Sequence, residues 1–389
     1  MARSLFQVDN SSFTANTAAF DGGGLFAQAT TIDGQYVTAT NNTAGFSGGG
    51  ISLADSSGVL NGLSVLQNAA MHGGGMHVGR SSTFAASSLL VGMNWAERRG
   101  GGLFVGAASS LACSNASMTH NTALEGGGLF AQDAKQVWVS SSTVSFNDAL
   151  DSGAGVGLDR DATVQLVSCK VTRNTALGDG GAAHVAGYAT LNVAGCEVDG
   201  NSAGRNGGGV SIAGSTPGRL GVFVQFDGEL QQATTARELG NRTESLGTFL
   251  SADRHGSTVP SLARFGCINS SLCNETLRPG APPRETASLT AVGSLFRDNY
   301  AGLAGGAVST VDKTHAHVDM WDTMVSGNTA WLRGGGLSLS GTATANVTYV
   351  RLDANQVLED GMCTGGGMDI RTNPQLVRRY CGAIFVHVD

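Results

Sequence analysis

Charged residues and prolines are both scarce in this sequence of 389 residues. Only 14% of the residues are charged, there are 6 prolines, and the formal net charge is −7 at pH 7. Lys and Arg total 23 against 30 for Asp and Glu, so the sequence lacks the basic surface that nucleic acids and anionic membranes attract. We therefore expect no nucleic-acid partner.

Long apolar runs are lacking too. The richest stretch, Leu103 to Cys113, is broken by Gly106, Ser109 and Ser110, and no run approaches the ~20 residues that span a bilayer. Residues 1–12 also lack the long apolar region of a signal peptide. We expect no membrane-spanning segment in this chain, and no signal peptide is visible.

Asn-x-Ser/Thr sequons, in contrast, are plentiful, as in secreted proteins. They begin at Asn10, Asn41, Asn115, Asn241, Asn269, Asn274 and Asn346. A surface rich in Ser, Thr and Asn also produces such triplets by chance. We expect an extracellular or cell-surface glycoprotein and, because no signal peptide is visible, a chain that is part of a longer protein.

Glycine is in excess, with 58 copies, about 15% of the chain where ~7% is usual. Glycine triplets recur about every 26 residues, beginning at Gly22, Gly48, Gly73, Gly100, Gly126, Gly207, Gly334 and Gly365, with near-copies at Gly153, Gly180 and Gly305. Five or six residues before the first ten clusters comes Asn-x-Ala, at Asn16, Asn42, Asn68, Asn94, Asn121, Asn147, Asn174, Asn201, Asn299 and Asn328. Such registered copies identify an internal repeat.

Each repeat carries the period-two alternation of short β-strands. One alternating stretch follows the glycines, as in Leu25-Phe26-Ala27, a second lies ten and eight residues before the asparagine, and a third inward position lies three residues before it. Three short strands cannot bury their apolar faces alone, but stacked coils can. The sequence predicts an all-β, right-handed parallel β-helix of about eleven coils, a rod on the order of 50 Å long.

The repeated asparagines are expected to be structural. An asparagine at a fixed turn position accepts left-handed dihedral angles and satisfies backbone groups, and copies in adjacent coils can form a hydrogen-bonded ladder. We therefore assign no catalytic residue among them.

A gap of 98 residues between the clusters at Gly207 and Gly305 predicts one coil plus an insertion. We divide the chain into β-helix over residues 1–214, an insertion loop or subdomain over 215–286, continuing coils over 287–357 and an irregular terminal coil over 358–389. Cys267 and Cys273 are candidates for a disulfide in the insertion, and Cys363 and Cys381 for one in the terminal coil. Cys169 and Cys196 stack in neighbouring coils, where a disulfide and two reduced thiols fit equally well.

Candidate functional residues are those outside the repeat pattern. Phe26, Phe104 and Phe130 occupy outward positions of the strand after the glycines and predict an exposed apolar patch or sugar-stacking platform. His315, His317 and Asp319 alternate on one strand and are the best candidate metal ligands, although such residues lie near ~6.7 Å apart. Asp159 and Asp161 are a weaker candidate pair for acid–base chemistry or calcium. We expect no cofactor.

The repeat resembles that of the chlamydial polymorphic outer-membrane proteins over about 300 residues. Their Phe-x-x-Asn motif is matched at Phe13 to Asn16 and Phe296 to Asn299, and their Gly-Gly-Ala motif at Gly180 to Ala182 and Gly305 to Ala307. The resemblance implies a β-helical surface passenger involved in adhesion. The chain departs from that family by showing no terminal membrane-barrel pattern.

Two functions therefore remain open. The first is a non-catalytic extracellular β-helix that contacts a polysaccharide or a surface or matrix protein. The second is a carbohydrate-active enzyme of the pectin-lyase type, a lyase or hydrolase, with an active site formed beside the insertion.

Overall fold

Four parallel β-sheets wind around one apolar core in the computed structural model of the chain. The structure describes residues 4–214, 286–311, 315–341 and 343–358, together with the backbone of the strands Gly221–Phe226, Glu229–Thr235, Met368–Arg371 and Ile384–His387. The chain divides into two units, Met1–Ser215 with Glu285–Asp389, and Thr216–Arg284. In the second unit Gly221–Phe226 and Glu229–Thr235 pair as an antiparallel hairpin.

We name the sheets of the first unit A to D in the order in which each coil visits them. The strands of sheet A are Ser4–Asp9, Thr30–Gln35, Ser57–Asn61, Thr83–Ser87, Ser110–Ser114, Gln136–Ser140, Thr163–Val167, Thr190–Ala194, Ala287–Val292, Ala316–Trp321 and Thr344–Thr348. The strands of sheet B are Ser12–Thr14, Thr38–Thr40, Ser64–Leu66, Leu90–Gly92, Ser117–Thr119, Thr143–Ser145, Lys170–Thr172, Glu197–Asp199, Leu295–Arg297, Met324–Ser326 and Arg351–Asp353.

The other two sheets complete each coil. The strands of sheet C are Thr17–Ala18, Thr43–Ala44, Ala69–His72, Trp95–Arg99, Thr122–Glu125, Asp148–Ser152, Thr175–Ala176, Ser202–Ala203, Tyr300–Ala301, Thr329–Ala330 and Gln356–Val357. The strands of sheet D are Leu25–Gln28, Ile51–Ala54, Met76–Gly79, Leu103–Val105, Leu129–Gln132, Val156–Asp159, Ala183–Gly187, Val210–Gly214, Val308–Thr310, Leu337–Ser340, Met368–Arg371 and Ile384–His387.

The predicted solenoid is confirmed, because sheets A, B and C each contain 11 parallel strands, one from every coil. The prediction of three strands per coil, however, is wrong: each coil has four. The additional strand is that of sheet C, which begins directly after the repeat asparagine, as in Thr17–Ala18 after Asn16. The alanine of Asn-x-Ala is its inward residue, buried at Ala44, Ala70 and Ala96. The sequence thus carried a signal for this strand in that alanine.

A single column of asparagines connects the coils from inside the turn between sheets B and C. Asn121 is fully buried, and its Oδ1 accepts hydrogen bonds from the backbone N and the Nδ2 of Asn94, both at 3.0 Å. Its own Nδ2 donates to Asn147 Oδ1 and to the backbone oxygen of Val91, again at 3.0 Å. Every polar atom of that amide group is therefore used in holding three successive coils together.

The column spans all eleven coils. It comprises Asn16, Asn42, Asn68, Asn94, Asn121, Asn147, Asn174, Asn201, Asn299, Asn328 and Asn355. Asn201 bonds to Asn299 at 3.0 Å although 98 residues separate them, so the coils on either side of the insertion stack directly. Asn355, which lacks the repeat alanine, still accepts from Asn328 Nδ2 at 2.9 Å.

The glycine triplets form the turn between sheets C and D. Side chains are excluded there by the left-handed backbone of the first glycine and by the close contact of the second with the next coil. The first glycine has a left-handed backbone, as at Gly126 with φ +66°, and a Cβ there would lie 2.7 Å from Leu129 O and from Phe130 Cβ. A Cβ at the second glycine, Gly127, would lie 2.6 Å from Ala154 O in the next coil. The triplet thus permits the closest approach of neighbouring coils.

Gly126→Ala is expected to destabilise the protein by about 3 kcal/mol or more, because it adds a backbone clash to the ~1 kcal/mol cost of a left-handed alanine. Gly293 provides the matched control: its φ is +55°, but nothing lies within 4 Å of an added Cβ. Gly293→Ala should lower the free energy of unfolding only by the ~1 kcal/mol cost of a left-handed alanine. Denaturant unfolding followed by circular dichroism measures the stability of both variants. Equal losses of stability would show that the backbone clash has no effect.

Candidate binding face

The outward side of sheet D is covered. Phe104 and Phe130 are each only 4% exposed, whereas Phe26 in the first coil is 44% exposed. The predicted exposure of Phe104 and Phe130 is therefore wrong, and the predicted aromatic platform on this sheet is reduced to a single ring.

The cover comes from sheet C. Its strands have two residues in most coils but four or five in the third to sixth, from Ala69–His72 to Asp148–Ser152. The longer strands carry Arg99 beside the sheet-D side chains, where its guanidinium lies 5.2 Å from the Phe130 ring centroid and its Nε 2.8 Å from Glu125 Oε2.

The covered side chains stack on one another along the axis. The ring of His77 lies 5.2 Å from that of Phe104, which lies 6.0 Å from that of Phe130, with interplanar angles of 21° and 10°. Because the ring faces contact each other, they are not available to a ligand. We infer a packing role for this ring stack.

Sheet A has the open face. Its strands present three outward side chains per coil, and in the third to ninth coils these are Ser57, Val59, Asn61, Thr83, Ala85, Ser87, Ser110, Ala112, Ser114, Gln136, Trp138, Ser140, Thr163, Gln165, Val167, Thr190, Asn192, Ala194, Ser288, Thr290 and Val292. We call this set the sheet-A face. All of these side chains are half-buried or exposed, and none is charged.

Hydrogen bonds between neighbouring coils order parts of this surface. Ser87 Oγ donates to Asn61 Oδ1 at 2.6 Å, and Ser288 Oγ donates to Thr190 Oγ1 at 3.1 Å. Because each side chain is fixed to a strand of a continuous sheet, neighbouring coils present their hydroxyl and amide groups at the ~4.8 Å strand spacing.

Trp138 is the one aromatic side chain of the face. It occupies the middle outward position of its strand, between the buried Val137 and Val139, and is 40% exposed. Ala112 lies beside it in the preceding coil and Gln165 in the following one. The alternation of the buried Val137 and Val139 with Trp138 is the sequence signal that identifies this outward tryptophan.

The candidate metal ligands are not brought together as a metal site. His317 and Asp319 are outward on the strand Ala316–Trp321, which begins after His315. His317 Nδ1 lies 2.8 Å from Thr344 Oγ1 in the next coil, an ordinary side-chain hydrogen bond. Within the described ranges, no group of three or more His, Cys, Asp and Glu side chains is arranged to hold a metal ion.

The candidate acid Asp159 belongs to an ion cluster in the turn before sheet A. Arg160 Nη1 lies 2.8 Å from Asp133 Oδ2, and its Nε lies 3.9 Å from Asp159 Oδ2. Burial raises the pKa of the Asp133 carboxyl, and the hydrogen bond from Arg160 opposes that rise. Arg160 thus connects the turns of two neighbouring coils.

Cys169 and Cys196 are free thiols. Cys169 N donates to Cys196 Sγ at 3.2 Å, and Cys196 Sγ donates to Leu166 O at 3.4 Å. Serine does the same in this column, since Cys196 N donates to Ser294 Oγ at 3.2 Å. The thiols therefore act as hydroxyl substitutes, and a disulfide would remove both S–H donors. The candidate pairs Cys267 with Cys273 and Cys363 with Cys381 lie outside the described residues.

A family model described as a right-handed beta helix region matches residues 31–219, from the second coil through the eighth. Together with the four parallel sheets, this makes the fold a right-handed parallel β-helix. No curated protein matches the chain, and neither does any solved structure. Among the residues that the structure describes, none forms a helix long and apolar enough to cross a membrane.

Cys113, Cys169 and Cys196 should resist alkylation in the native protein and react after unfolding without a reductant, because all three are buried. Burial also raises the pKa of the Cys113 thiol to about 12, whereas the hydrogen bond with Cys196 lowers the pKa of Cys169 to about 7, so the protection of Cys169 depends on burial alone. Peptide mass spectrometry distinguishes them from the other cysteines. Recovery of a disulfide-linked Cys169–Cys196 peptide would contradict the assignment.

Proposed function

We propose that this chain is a non-catalytic, extracellular or cell-surface β-helix that binds an extended polysaccharide through the sheet-A face. The observation that carries the proposal is the contrast between two faces of the β-helix. In the third to sixth coils the outward side of sheet D is covered by the longer strands of sheet C, whereas the uncharged side chains of sheet A are half-buried or exposed along seven coils.

Shape supports an extended ligand over a small molecule. Small ligands bind in concave pockets that bury most of their surface. A sheet of parallel strands that repeats the same three outward positions offers instead a long row of similar contacts. A polymer with its own repeating units can use many of these contacts at once, so that weak single contacts add up.

The side chains of the face favour binding over catalysis. Breaking a glycosidic bond requires positioned acid and base groups, commonly a pair of carboxyl groups. The sheet-A face has no carboxylate in the third to ninth coils. The outward acids of sheet A in the adjoining coils, Asp33 and Asp319, are eight coils apart, roughly 38 Å by the strand spacing, and cannot act as a pair. Asp133 and Asp159, which precede two strands of the face, both lie against Arg160.

Secretion is supported by the positions of the sequons. Asn10, Asn41 and Asn115 are exposed at left-handed turns with φ of 47°, 56° and 50°, and Asn346 is exposed on the strand Thr344–Thr348. Asn241, Asn269 and Asn274 lie outside the described residues. Exposed asparagines at turns suit glycan attachment. The Phe-x-x-Asn and Gly-Gly-Ala motifs, which resemble those of chlamydial surface passengers, support an adhesive role.

Secretion has a direct test. Expressed with a secretion leader in a eukaryotic host, the chain should lose mass on enzymatic removal of N-glycans, and the Asn41→Gln and Asn115→Gln variants should each lose less. A chain of unmodified mass would contradict an extracellular glycoprotein.

Binding is tested with a panel of neutral, anionic and cationic polysaccharides, measuring retention of the chain together with release of oligosaccharides. Ala112→Glu places a longer side chain at the centre of the sheet-A face and should weaken binding about ten-fold or more. Thr143→Glu makes a comparable change on sheet B and should leave binding unchanged.

Two results would overturn the proposal. One is retention that Ala112→Glu and Thr143→Glu affect equally, or no retention by any polysaccharide. The other is release of oligosaccharides that Asp159→Asn abolishes, which would make the chain an enzyme.

A further inference from the structure

The charge of the sheet-A face restricts which polysaccharides it can accept. Across three outward positions in each of seven coils there is no Asp, Glu, Lys, Arg or His, although 14% of the whole chain is charged. The neighbouring sheet B is different, because its outward residues include Lys170, Glu197 and Arg297, joined by ion pairs of 3.3 and 3.0 Å.

An anionic polymer finds no counter-ion on this face. Each carboxylate or sulfate of such a chain would lose water without gaining a cationic partner, which is unfavourable. The net charge of −7 adds long-range repulsion. An uncharged chain has neither cost.

Trp138 provides a stacking surface for a sugar ring. An exposed indole has a broad apolar face and an N–H donor at its edge. On one side its neighbour in the adjacent strand is Ala112, whose side chain is a single methyl group, so no long side chain competes for that space. The apolar C–H side of a pyranose ring fits such a surface.

Amide side chains surround the indole where hydroxyl groups of the sugar would lie. Gln136 is exposed in the same strand, and Gln165 and Asn192 follow in the same outward column in the next two coils. Each amide offers both a donor and an acceptor, which matches a hydroxyl group that also does both. Serine and threonine hydroxyls extend the same chemistry to the rest of the face.

We infer that the sheet-A face binds an uncharged polysaccharide, with one sugar ring stacked on Trp138 and neighbouring hydroxyls hydrogen-bonded to Gln136, Gln165 and Asn192. This inference rests on the proposed function and narrows it to one class of glycan. It also assigns Trp138 as the central contact residue.

The test is affinity electrophoresis of the full chain in native gels that contain a neutral β-glucan, polygalacturonate or chitosan. Retardation is expected in the β-glucan gel, with a dissociation constant that changes less than about two-fold with added salt, because screening has no effect on an uncharged ligand. Trp138→Ala should weaken that binding about ten-fold or more.

Two variants serve as controls. Trp95→Ala removes a tryptophan that is 50% exposed on sheet C and should leave retardation unchanged. Gln165→Lys adds a cation to the face; it should weaken β-glucan binding and create no strong affinity for polygalacturonate. Circular dichroism checks that all variants keep the β-helix.

Failure of the inference differs from failure of the proposed function. Binding to polygalacturonate or chitosan alone, with strong salt dependence, would overturn the uncharged ligand while leaving a polysaccharide-binding protein. β-Glucan binding that survives Trp138→Ala would overturn the assigned contact. No retardation in any gel would overturn the proposed function as well.

Discussion

The exact register of stacked coils is the constraint on which this structure depends, and the buried asparagine column is what enforces it. Each Asn side chain in the middle of the rod bonds to the coil before and the coil after it, and an amide left unpaired there would carry a desolvation cost of about 1–3 kcal/mol per group. A shift by one residue would unpair the amide and turn inward side chains out. The glycine triplets serve the same register, since they remove the side chains that would hold neighbouring coils apart.

That constraint divides the residues into those that build the coil and those free to bind. Asparagine, glycine and the inward apolar columns are used within the solenoid, and the ring stack of His77, Phe104 and Phe130 is used under the longer strands of sheet C. Sheet A is left as an open face with a regular spacing and no charge over seven coils. The recognition that we propose, of an extended uncharged polymer, rests on that regularity, because the face repeats one set of contacts and offers nothing to pair with an ion.

The fold could be predicted from sequence because its signals repeat. Triplet spacing, period-two alternation and the fixed asparagine each recur in nearly every coil, so the number of coils and the parallel pairing followed from counting. The fourth strand was missed because in most coils it has only two residues, too few to show an alternation. The burial of Phe104 and Phe130 has another cause: an outward position on a strand does not ensure exposure when a neighbouring strand covers it. The segment between the repeat asparagine and the glycines has four or five residues in each of the first ten coils, so its length does not reveal where it covers sheet D; that path is a property of packing. The outward position of Trp138 could be predicted from the alternation of its strand, but its availability to a ligand depends on the uncovered surface around it, which only the structure shows.

Two asparagines, one buried inside the solenoid and one on its surface, provide the most direct test of this account. Asn121 is fully buried in the column, and Asn192 is half-buried on the sheet-A face. Their alanine variants should differ both in the free energy of unfolding, measured with denaturant, and in the affinity for β-glucan. Asn121→Ala should lose about 3 kcal/mol of stability, whereas Asn192→Ala should stay within about 0.5 kcal/mol of the parent and bind the glycan more weakly. Equal stability losses, or glycan binding that Asn192→Ala leaves unchanged, would contradict the division between residues that build the coil and residues that bind.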